Sequence, residues 1–106
     1  MNNLNIHKYE DIWKPLIPNI IESVREGKSL ELNMNNKDFK AVGKRKNYSF
    51  RLEIENNTVK NNIDGSAVAR DLARILTSNS NFLQALNKRT VLLRLDKNFT
   101  FKMEII

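Results

Sequence analysis

The apolar residues of this 106-residue chain switch spacing from helical to alternating, back to helical, and to alternating again. Each switch fixes a type of element. Tyr9, Ile12, Trp13, Leu16, Ile17, Ile20, Ile21 and Val24 follow helical spacing without a miss. Pro15 and Pro18 fall inside that stripe, and each removes a backbone donor. A kink or restart is therefore expected there, with proline in the first turn of the second piece. Gly27 suits the left-handed position just past a helix end. Trp13 lies on the stripe and reads as core rather than as a ligand platform.

Alternation follows. Leu30, Leu32 and Met34 share one face of a strand over residues 29–34, and Asn35-Asn36 has turn chemistry. Strands at 39–44 and 48–55 complete an expected antiparallel meander. A loop over 44–47 sets Gly43, Ala41 and Phe39 opposite Tyr48, Phe50 and Leu52, with Ile54 beyond. The other face then carries Asp38, Lys40, Val42 and Lys44 beside Ser49, Arg51, Glu53 and Glu55, with Asp38 opposite Glu53. Residues 56–62 are rich in Asn and read as a loop.

Asp64 or Ser66 caps a second helix whose stripe is Val68, Leu72, Ile75 and Leu76, with Ala69 and Ala73 beside it. Residues 77–81 break or re-cap that helix, and Phe82, Leu83 and Leu86 continue it. The chain closes in a hairpin. A loop over 96–98, with Asn98 left-handed, pairs Leu95 with Phe99, Leu93 with Phe101 and Val91 with Met103, leaving Arg94, Thr100 and Lys102 outward. The order α-β-β-β-α-β-β predicts one α+β domain over 1–106, an antiparallel sheet with helices on one face. Residues 1–8 are expected to be a mobile N-terminus.

Charge narrows the function. Residues 37–51 hold six basic side chains (Lys37, Lys40, Lys44, Arg45, Lys46, Arg51) and one acid, Asp38, which is +5 of the formal net +6. A field so localised attracts a polyanion. Phe39, Tyr48 and Phe50 interleave it, which argues for a folded element. Lys40, Lys44 and Arg51 share a face of the expected hairpin, and Arg45 and Lys46 stand at its tip. Ammonium and guanidinium groups there neutralise phosphates and release counterions. Arg70 and Arg74, four apart on the second helix, extend the candidate site. The competing account is a solvated surface, with Lys40 and Arg51 balanced by Asp38, Glu53 and Glu55, and Arg74 paired with Asp71.

The αβββα order resembles double-stranded-RNA-binding domains in outline, although their Lys-rich motif at the second helix is missing. The acids Asp38, Glu53 and Glu55 within that order resemble metal-dependent nuclease cores, which implies Mg²⁺. Glu55 stands where such cores carry Lys, and the Lys/Arg neighbours give the acids ordinary partners. With a single His and no Cys, neither a Ser-His-Asp or Cys-His system nor a His/Cys metal site can be assembled.

The expectation is a non-enzymatic nucleic-acid-binding domain, binding DNA or RNA without cofactor or metal. Its competitor is a protein-interaction module: a phage or mobile-element inhibitor, an immunity-type factor or a small subunit. An exposed apolar patch including Val42 or Leu92 favours the competitor. Asn, Lys and Ile, numbering 16, 11 and 10, have AT-rich codons and hint at a low-GC, phage or organelle genome. Met1 to Glu10 lacks a signal-peptide pattern, and no stretch nears the roughly 18 apolar residues of a membrane span. The expected location is therefore the cytoplasm, or that of a phage host or the interior of an organelle, with no membrane partner.

Overall fold

The computed structural model describes residues 9–35, 48–61 and 67–106. The first apolar stripe folds as two helical pieces. Helix α1 (Glu10–Trp13) runs through a 3-10 turn (Lys14–Leu16) into α2 (Ile17–Glu26). Pro15 lies in the 3-10 turn and Pro18 in the first turn of α2, where a missing N–H costs nothing. Gly27 ends α2 at φ 72°, and the Gly27 and Lys28 N–H groups donate to Val24 and Ser23 carbonyls at 3.0 and 2.9 Å. That is the paired closure of a Schellman end, and an L-residue there is strained.

Five strands form one antiparallel sheet among the described residues: β1 (Leu30–Asn33), β2 (Phe50–Glu55), β3 (Thr58–Asn61), β4 (Thr90–Leu95) and β5 (Thr100–Ile105). Their order across the sheet is β1-β5-β4-β2-β3. Helices α3 (Ala67–Thr77) and α4 (Ser80–Leu86) lie between β3 and β4 in the chain. Asn79 caps α4, its side-chain oxygen accepting the Phe82 N–H at 2.9 Å. The molecule is thus a single α+β domain with the described helices on one face of the sheet. No described helix is long and apolar enough to cross a membrane.

Trp13 joins the layers. It is wholly buried, its indole N–H donates to the Val68 carbonyl at 3.2 Å, and its ring meets Phe50 at 6.2 Å and Phe101 at 5.2 Å. It shares the buried core with Ile20, Leu52, Leu72, Leu76, Phe82 and Leu93. At the opposite end of α2, half-buried Arg89 donates to Val24, Ala85 and Leu86 carbonyls at 3.0, 3.1 and 3.2 Å. One guanidinium thus satisfies the C-termini of α2 and α4, where the helix dipoles favour a cation.

Three local expectations are corrected. Part of the 56–62 loop is strand β3: Asn56 turns at φ 57°, and Ile54 and Glu55 stand opposite Val59 and Thr58. Pairing to β2 outweighs the weak strand propensity of this Asn-rich stretch. The final hairpin is shifted by two residues. Leu95, Leu93 and Val91 face Phe101, Met103 and Ile105, and Phe99, not Asn98, is left-handed, at φ 63°. The cause is Asp96, whose carboxylate accepts the Asn98 and Thr100 N–H groups at 2.9 and 3.0 Å and starts the turn one residue later. A shift of two preserves the faces, so the inward and outward sets stand. Glu53 has Leu92 and Asn61, not Asp38, as its cross-strand neighbours. The expected strand 39–44, the caps at Asp64 or Ser66 and the 1–8 terminus lie outside the described residues.

Two stability outcomes follow. Phe101→Ala should cost about 3–5 kcal/mol in denaturant melts, because its ring is fully buried against Trp13. Arg89→Ala should cost about 2 kcal/mol, since charge-assisted bonds contribute roughly 1.5–3 kcal/mol each and some carbonyls recover water. Arg89→Lys should recover only part, because an ammonium lacks the planar fork.

Candidate nucleic-acid interface

The sheet face opposite the described helices bears the outward side chains of the five described strands. Its pairing lines up three cations. Arg51 on β2 stands directly opposite Arg94 on β4, and Arg94 opposite Lys102 on β5. Strands lie about 4.8 Å apart, so the row is about 10 Å across at the backbone. Glu31 ends the row on β1. Arg94 is bridged to Glu104 at 2.7 Å, whereas neither Arg51 nor Lys102 has an ion pair among the described residues. Beyond the row, away from the hairpin turn, lie Glu104, Leu92 and Glu53, then Glu55, which pairs with Lys60 at 3.3 Å.

The turn of the β4–β5 hairpin lies at the other end of this row. Phe99 there accepts the Met34 N–H on its carbonyl at 2.6 Å and stacks on Tyr48, centroids 4.3 Å apart and planes 11° from parallel. The Tyr48 hydroxyl donates to the Lys97 carbonyl. Met34 and Tyr48 flank the basic segment in the chain, so both of its roots are fixed to the same residue.

On the outward face of the described strands Arg51, Arg94 and Lys102 are accompanied by Glu31, Glu53, Glu55 and Glu104, with the cations nearer the turn and Glu53, Glu55 and Glu104 beyond them. In the sequence, residues 37–46 carry +4 of the net +6.

Of the residues expected from sequence, Arg51 belongs to this row. Lys40, Lys44, Arg45 and Lys46 lie outside the described residues. Arg70 and Arg74 are exposed on α3, in the helix layer on the other side of the sheet, and are not brought together with Arg51. Arg74 is hydrogen-bonded to Glu10, not paired with Asp71. Asp71 is instead buried, with its carboxylate accepting the Tyr9 N–H at 3.2 Å. Burial, reinforced by the Asp71 charge, pushes the Tyr9 hydroxyl pKa above its ordinary value.

Arg94 and Lys102 were legible only as outward-facing residues. Their alignment with Arg51 depends on β2–β4 pairing, which no local pattern announces. Leu92 is not an exposed patch: it is 7% exposed, and Ile106 is the only exposed large hydrophobic among the described residues. No group of three or more acids, His or Cys among the described residues is placed to hold a metal ion.

The hydrogen bond from Arg74 is the main cause that holds the Glu10 carboxyl below its ordinary pKa of 4.5. A depressed carboxylate stabilises the fold above its unfolded pKa and loses that contribution as pH falls through the native value. Melting curves of wild type and Glu10→Gln should therefore differ at neutral pH and converge as the pH drops below 4.5.

No protein-family model matches the chain, and neither a curated protein nor a solved structure is similar to it.

Proposed function

We propose that this protein is a small, basic, non-enzymatic domain that binds nucleic acid through the phosphate backbone. Lys44, Arg45 and Lys46 are the principal phosphate contacts, with Lys40 and Arg51 in support. The observation that carries this reading is the placement of charge. The sequence concentrates +4 of the net +6 in residues 37–46, and Arg51, Arg94 and Lys102 form a row of cations on the described strands. A concentrated field of this kind steers a polyanion and releases its counterions.

The protein-interaction reading predicts an exposed apolar patch, and Leu92, its described candidate, is covered. Catalysis by Glu53 and Glu55 has less support: Glu55 is held by Lys60, and Glu53 lies beside Leu92 and Asn61.

Fluorescence anisotropy with DNA and RNA probes tests the reading. Neutralising about five phosphates makes log affinity fall with log salt at a slope of about −4 to −5. Replacing Lys44, Arg45 and Lys46 together by Ala should flatten that slope by about 3 while the thermal melt stays unchanged. Absence of binding to every probe at low salt would remove the proposal.

A further inference from the structure

The row Arg51–Arg94–Lys102 conflicts with sheet stability. Like charges directly opposite one another on neighbouring strands repel, and their Cβ atoms lie only about 4.5–5.5 Å apart. Two such contacts occur in succession here. Glu104 bridges the middle member and Glu31 stands opposite Lys102, while neither Arg51 nor Lys102 has an ion pair among the described residues. Local choices that oppose the fold and are only partly compensated point to functional positions.

The chemistry of the face also selects a ligand. Its outward residues on the described strands are Glu, Asn, Arg, Thr, Leu and Lys, with no aromatic side chain. Single-stranded nucleic acids are held chiefly by stacking bases on aromatic platforms. A line of cations on described strands that offer no aromatic platform instead suits sugar-phosphate backbone, whose bases stay paired and stacked.

We infer that the sheet face opposite the described helices is a second phosphate-contacting surface, on which Arg51, Arg94 and Lys102 hold the backbone of a double-stranded nucleic acid running across β2, β4 and β5. This rests on the nucleic-acid reading above and adds to it the substrate class and a set of contacts outside the basic segment. Glu104 restrains the row, because its bridge occupies Arg94 until a phosphate competes for the same guanidinium.

The test compares wild type, Arg94→Gln/Lys102→Gln and Glu104→Gln on a duplex and on one of its single strands, across a salt series. The double variant should flatten the duplex salt slope by about 2 and weaken low-salt binding by roughly tenfold or more. Glu104→Gln should tighten duplex binding, and the duplex should bind more tightly than the single strand. Circular-dichroism melts should show both variants folded. If the double variant binds like wild type while the Lys44/Arg45/Lys46 replacement weakens binding, the sheet face is idle and only this inference falls. Equal or tighter binding of the single strand overturns the duplex assignment. If wild type binds neither probe, or instead binds a protein through Arg94 and Lys102, both readings fail.

Discussion

Phe99 is the residue on which the arrangement turns. It occupies the left-handed region at φ 63°, a conformation that costs a non-glycine residue about 1–2 kcal/mol. The surroundings hold it there. Asp96 closes the turn on one side, Tyr48 stacks on the ring, and Met34 donates to the carbonyl. An offset aromatic stack contributes about 0.5–1.5 kcal/mol beyond its area, comparable to the backbone cost. This one residue lies in the β4–β5 turn that Asp96 closes, receives the chain just past β1 and receives the approach to β2. The alignment of Arg94 with Lys102 depends on the β4–β5 register, and that of Arg51 with Arg94 on the β2–β4 register.

The two faces of the sheet divide the work. The inner face, with Trp13 tied to α3 and set against Phe50 and Phe101, supplies the cohesion. It is closed at the far end by Arg89, which joins two helix ends. The outer face contributes little to the core and is free to carry repulsive charge. Asp71 shows the difference: an acid on the stripe side of α3 is drawn inward to hold the Tyr9 backbone, while Arg74, one turn on, stays outside and takes Glu10 as its partner.

Much of this was legible in the chain. Helical stripes, the restart at the prolines, the Gly27 end and the inward parity of every predicted strand with described residues follow from spacing alone. Parity survives a two-residue error, so alternation placed Phe101 and Met103 correctly while misplacing their partners. The register needed the Asp96 side chain, whose hydrogen bonds start the turn one residue later. Strand β3 was hidden because Val59 is its one apolar residue, and a four-residue edge strand gains its stability from β2 rather than from its own pattern. For the site, Arg51 was visible as a charge, but its neighbours were not. Pairing Arg51 with Arg94 joins residues 43 positions apart, across a helical layer, and such contacts leave no local trace.

The central claim is that the outward sheet face beside the Phe99 turn meets a nucleic-acid backbone. Amide chemical-shift perturbation, recorded while a short duplex is titrated into isotopically labelled protein at low salt, tests it most directly. The account predicts shifts centred on Arg51, Arg94, Lys97 and Lys102 that fade as salt is raised, with Arg70 and Arg74 on the helix layer unmoved. Shifts centred on α2 and α3, or none at any salt concentration, would contradict it.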